Sequence, residues 1–401
     1  MTATAPQVGA PSPAVAPPPG NPRFALFDSL RAIAVLAVIA FHVVSLSGAP
    51  GGRVVGDVAA MLGSQGPILF FVISGFLLYR PYVAARASGA SPPGIGRYAR
   101  RRVLRIVPAY WLALTALAIF PGIAGAFSGD WWRYYLFLQL YWQDTVTGGI
   151  PVAWTLCVEA SFYLLLPFWA LTVRRLGVDL GALALVAVGG AAVQVAAARN
   201  EVSDLLATTL LGQCTWLALG MALAVASVRA ERATREPRAV RFVTAHPGLC
   251  WLGAGAAFAG LTAVLQPGGV FGIARAVATQ QPFAKTIAGI ALGVVVQALL
   301  VVPAIFGQRA GGVPRRVLAA SPLAWIGVIS YGMYLWHLTV AELLALPSAP
   351  GEFSADGLGL AAKIDHLTTP ILLVLTLAAT MVIAAASYYL VELPFLRRKE
   401  R

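Results

Sequence analysis

An arginine and a histidine, Arg31 and His42, interrupt the otherwise apolar stretch FDSLRAIAVLAVIAFHV at residues 27–43. Eleven residues is almost a whole number of helical turns. On one helix the two side chains point the same way, about 16 Å apart along the axis. A fixed cation can grip an anion, and an imidazole can take up or release a proton near neutrality. Each residue also has a plainer reading. An arginine near a helix end snorkels to the interface, and a core histidine can sit neutral against a backbone carbonyl.

The stretch PVAWTLCVEASFYLLLPFW (151–169) carries Glu159 among Trp154, Phe162 and Tyr163. A carboxylate in such surroundings needs a partner or a proton. His42 is the expected partner, because a carboxylate beside an imidazole raises its basicity and fixes its tautomer. A purely structural His–Glu or Arg–Glu pair would use the same residues. Arg102 and Arg105, spaced i, i+3, share a helical face. Two guanidinium groups so placed suit phosphate, although basic anchors at a membrane surface have the same pattern.

The elements that position these groups follow from composition. Of 401 residues, 59% are hydrophobic and 11% charged, and the mean hydropathy is +0.77; a soluble domain carries about a quarter charged residues. Apolar runs near twenty residues predict ten spans, at 26–47, 58–79, 103–121, 152–173, 180–198, 206–228, 248–266, 284–306, 322–345 and 369–391. The fold class is therefore an all-α polytopic integral membrane bundle of about ten transmembrane helices, with the lipid bilayer as its partner. A charge at a helix centre there costs roughly 3 kcal/mol by insertion scales, so Arg31, His42, Glu159 and His337 invite functional explanations.

The net charge is +13. It reflects loop asymmetry and not nucleic-acid binding. All but six of the 29 Lys and Arg residues, the six being Arg53, Arg133, Arg199, Arg275, Lys285 and Lys363, fall on the side of the even-numbered loops and the termini. The positive-inside rule then makes both termini cytoplasmic. The loop 80–102 holds the cationic cluster GRYARRR, and the outer segment 122–151 is aromatic-rich and expected to be partly inserted or re-entrant. Residues 1–22, rich in Pro and Ala, predict a disordered cytoplasmic tail ahead of a membrane domain at 23–398. Cys157, Cys214 and Cys250 lack the spacing of a disulfide framework or a metal site.

These stretches, taken in order, resemble the acyltransferase 3 family of membrane-embedded O-acyltransferases. Arg31, ten residues, then His42 resembles the family's first-span signature. GPILFFVISGFLL (66–78) is similar to its FFxxSGF motif, and RRVLR supplies RxxR at Arg102 and Arg105. WTLCVEASFYLLLP is similar to W-S-L-x-V-E-x-x-F-Y-L-x-x-P, with Glu159 in the glutamate position. SYGMYLWH (330–337) and VELPFLRR resemble the two late motifs. Ser29, Ala32, Thr155 and the pair Ala160-Ser161 depart from common family residues without removing an arginine, a histidine or Glu159. The likeness runs from about residue 24 to 398, and an appended SGNH-type esterase domain is not expected.

The resemblance implies a transferase of the bacterial plasma membrane, multi-pass, with acyl-coenzyme A, acetyl-CoA above all, as donor substrate and no permanently bound cofactor. The acceptor implied is a carbohydrate or a small-molecule hydroxyl. Arg31, Arg102 and Arg105, with Ser74 and Gly75 of the SGF stretch, are then the candidates for the donor, although Ser74-Gly75 also suits a tight helix contact. The pantetheine arm would run up the first helix to His42, the general base, oriented by Glu159; a transient acyl-histidine is the other route. Trp154, Tyr163 and His337 are candidate substrate contacts, His337 equally suiting an interfacial aromatic belt. The competing classes are a proton-coupled transporter or flippase relaying protons through His42 and Glu159, and a non-catalytic membrane scaffold.

Overall fold

The structure is a computed structural model that describes residues 24–48, 52–146, 148–176, 179–265, 282–307, 311–345 and 368–398. The tail at 1–22 and the outer positions Arg275 and Lys363 lie outside the described residues.

Among the described residues, ten helices are long and apolar enough to cross a membrane. They are α1 (Leu26–Leu46), α2 (Gly52–Ser88), α3 (Ile95–Ile119), α4 (Trp154–Leu176), α5 (Leu180–Ala198), α6 (Leu210–Arg232), α7 (Pro247–Leu265), α8 (Phe283–Ile305), α9 (Ser321–Ala345) and α10 (Thr369–Ser387). Among the described residues every regular element is helical. This is what a bilayer demands, since a helix satisfies its own backbone groups where no water can. Each of the ten expected spans coincides with one of these helices.

Two connections have more local structure than the apolar pattern shows. The loop at 80–102 is mostly helix: α2 continues to Ser88 and α3 begins at Ile95. The extension of α2 is held by polar partners beyond the apolar core. Arg80 donates to Ser227 Oγ at 3.1 Å and pairs with Glu231, and Arg86 pairs with Asp179. The aromatic segment 122–151 contains, among the described residues, no helix long enough to cross a membrane. It forms a short helix at Trp131–Tyr135 and 3₁₀ turns at Gln139–Tyr141 and Pro151–Ala153. It is tied to α3 by Tyr110 Oη and Trp111 Nε1, each donating at 2.9 Å to the carbonyls of Tyr134 and Tyr135.

Small residues let the central helices approach closely, the usual device where lipid removes the hydrophobic drive for helix pairing. A Cβ on Gly75 would lie 2.3 Å from Leu217 O, and one on Gly220 would lie 2.1 Å from Val72 O, so α2 and α6 cross backbone to backbone. A Cβ on Gly327 would meet Asp28 O, which sets α9 against α1. α1 thereby lies between α2 and α9, with most of its side chains enclosed by protein.

Candidate functional site

The described residues enclose a cavity of about 300 Å³ at the end of the bundle where α1 begins and α2 ends. That volume is at the lower end of small-molecule sites. Five arginines line it, Arg31, Arg97, Arg101, Arg102 and Arg105, against two carboxylates, Asp28 and Glu159. Arg31 is paired: its Nη1 lies 2.9 Å from Asp28 Oδ1, one turn earlier on α1. The four of these on α3, Arg97, Arg101, Arg102 and Arg105, have no carboxylate within ion-pair distance among the described residues. Arg102 lies 5.8 Å from the centre of the Tyr163 ring, and its buried Nε has no hydrogen-bond partner.

Glu159 faces the same space. Its Oε1 accepts from Ser74 Oγ at 3.1 Å and its Oε2 from Tyr163 Oη at 2.6 Å. Both carboxylate oxygens thus accept hydrogen bonds on the cavity side, and none joins Glu159 to His42, the partner expected for it. Gly75 makes the tight helix contact that the SGF stretch suits. It faces α6, while its neighbour Ser74 faces the cavity. Trp154 packs against Phe71, ring centres 6.1 Å apart, and is not part of the lining.

Deep in the cavity stand Phe70, Thr155 and Tyr334. Thr155 Oγ1 donates to Tyr334 Oη at 3.1 Å, and Tyr334 Oη donates to Val152 O at 3.0 Å. Beyond Tyr334, on the side away from Arg31, lie the two histidines. His337 Nε2 and His42 Nδ1 are 3.2 Å apart. His337 is fully buried, at 0% exposure, which excludes an aromatic-belt position. His42 keeps part of its surface accessible.

Arg31 and His42 thus sit on one unbroken helix, as the eleven-residue spacing requires, but they do not share a cavity. His42 is absent from the lining, and Val35 and Val38 between them are 0% and 1% exposed. Phe70 and Tyr334, the lining residues of α2 and α9 furthest along those helices from the arginine end, meet edge to face with ring centres 5.7 Å apart.

Arg97 and Arg101 were not among the expected site residues. Their signal was present, because 97, 101 and 105 follow one another at i, i+4 on one face. The sequence alone hides it, because GRYARRR has the look of a loop, where such a spacing has no meaning. Asp28 carried no comparable signal, and Tyr334 stood in the SYGMYLWH stretch without being singled out. An Asp–Arg pair at i, i+3 is commonplace, and the depth of Tyr334 depends on how α9 packs.

Fold and site together define a membrane-embedded helical bundle with a cationic cavity at one end and a histidine pair outside its lining. The family model described as an acyltransferase domain matches residues 24–389. The chain belongs to this acyltransferase 3 family. It is 25% identical over 406 residues to the peptidoglycan O-acetyltransferase OatA of Listeria monocytogenes serovar 1/2a, with 92% of this chain and 55% of OatA covered. It is 23% identical over 397 residues to YrhL of Bacillus subtilis strain 168, provisionally named a peptidoglycan O-acetyltransferase, with 92% and 54% covered. The chain spans about half the length of these curated relatives. No solved structure matches it at the same stringency.

Proposed function

We propose that this protein moves an acyl group, acetyl foremost, from acyl-coenzyme A to a carbohydrate hydroxyl in a bacterial plasma membrane. Its relatives' names point to peptidoglycan as the acceptor class. The observation that carries the reading is the cluster of four α3 arginines at the cavity, none within ion-pair distance of a carboxylate among the described residues, of which Arg102 and Arg105 are partly buried. Leaving a partly buried cation unpaired costs several kcal/mol, so such a group is retained where an anionic ligand completes it. Coenzyme A brings phosphates that guanidinium groups bind through paired hydrogen bonds. In this account the exposed Arg97 and Arg101 meet the phosphates first, and Arg102 and Arg105 hold them. The pantetheine arm lies along Ile73, Ser74 and Leu77, with Glu159 and Tyr163 shaping the wall.

His42 acts as the general base on the acceptor hydroxyl. The thioester reaches it only after Phe70 and Tyr334 rotate out of the way, so donor binding and opening at this point are coupled. A transporter reading needs a relay between His42 and Glu159, and the bonds those residues make lead to other partners. The test is transfer of labelled acetyl from acetyl-CoA to soluble peptidoglycan fragments by the full chain in nanodiscs. Transfer that saturates in acetyl-CoA supports the reading. Absence of both transfer and acetyl-CoA binding overturns it.

A further inference from the structure

The hydrogen-bond partners of the two histidines admit one arrangement of protons. His337 Nδ1 lies 3.1 Å from Met333 O and 2.9 Å from Tyr334 O, and carbonyl oxygens only accept. Nδ1 of His337 therefore carries its hydrogen, and in the neutral ring Nε2 presents a lone pair. That lone pair points at His42 Nδ1, 3.2 Å away, which also lies 2.9 Å from Val38 O. His42 Nδ1 thus faces two acceptors and must be the protonated nitrogen. By elimination, the basic nitrogen of His42 is Nε2, which has no hydrogen-bond partner among the described residues.

We infer that His337 is the positioning residue of His42, holding it in the tautomer whose Nε2 accepts the acceptor's proton. The inference rests on the acyl-transfer reading above and deepens it, assigning to an imidazole the orienting part expected of a carboxylate. Burial divides the labour: a substrate can touch the partly accessible His42 but not the enclosed His337. In the step itself the acceptor oxygen gives its proton to His42 Nε2 as it bonds to the thioester carbonyl carbon. The carbon–sulfur bond then breaks, and the departing thiolate takes that proton back, leaving an ester, the free thiol of coenzyme A and a neutral His42. Throughout, the Nδ1 hydrogen keeps its bonds to Val38 and His337, and the imidazolium formed midway is steadied by the His337 lone pair.

The experiment compares His337→Leu, His337→Gln and His337→Asn in the nanodisc transfer assay, with His42→Ala as reference. The Gln amide oxygen reaches the place of the lost Nε2 and can accept from His42. Asn places its amide near the former Nδ1 and cannot reach. Losing a correctly set general base lowers turnover by about 10²–10⁴-fold. His337→Leu and His337→Asn are expected to lose at least a hundredfold in kcat with KM for acetyl-CoA unchanged, and His337→Gln to recover at least tenfold of that loss. Equal losses in Gln and Asn, or a wild-type kcat in Leu, overturn the inference. If Leu does not accumulate, the Gln–Asn contrast decides alone. Full activity in His42→Ala overturns instead the base role beneath it.

Discussion

At the scale of single residues, the partners that an ionisable group has, or lacks, define what it can do. Arg102 and Arg105 project from α3 into the cavity without a carboxylate. A hydrogen bond to a charged group is worth about 1.5–3 kcal/mol, so replacing either by Gln should raise KM for acetyl-CoA about tenfold or more while leaving kcat at saturation nearly unchanged. Titration of acetyl-CoA in the transfer assay reads both quantities, and a fall in kcat alone would reassign the pair. Glu159 is bonded to Ser74 and Tyr163 and not to His42. Glu159→Gln is therefore expected to lose less than about tenfold in kcat, whereas His42→Ala loses about a hundredfold or more. Similar losses in the two variants would restore the carboxylate to the role expected from sequence.

At the scale of elements, the fold depends on contacts that apolar patterning does not display. Gly220 meets the α2 backbone so closely that Gly220→Leu forces α2 and α6 apart. The resulting overpacking costs about 1–3 kcal/mol or more and should appear as a lower Tm in detergent. Arg315, 3% exposed on the short helix Val313–Leu318, donates to the carbonyls of Pro303, Phe306, Gly311, Val243 and Thr244. It fastens the end of α8 to the helix Arg238–Ala245. Arg315→Met strands those carbonyls and should destabilise by on the order of 3 kcal/mol, read as the same kind of Tm shift, with donor KM unaltered. All ten membrane helices were legible, since twenty apolar residues have one solution in lipid. The helical character of 80–102 was not, because Arg80 and Arg86 look like loop cations until their partners Glu231 and Asp179, far along the chain, are brought beside them. The partner of His42 was hidden for the same reason. His42 and His337 are 295 residues apart in sequence, and only the parallel packing of α1 against α9 unites them.

At the scale of the whole molecule, the bundle separates two places that the reaction has to join. The arginine-lined cavity opens at one end, the histidine pair lies outside its lining, and Phe70 meets Tyr334 at the lining's far end. The sequence pointed to the common helix of Arg31 and His42 but not to this contact, which is made by side chains of α2 and α9. The most direct test of the account is a parallel measurement, on wild type and His42→Ala in nanodiscs, of acetyl-CoA binding and of acetyl transfer to peptidoglycan fragments. The account predicts equal donor affinity in the two proteins and transfer reduced at least a hundredfold in the variant. Undiminished transfer by His42→Ala, or failure of the wild-type protein to bind acetyl-CoA, would contradict it.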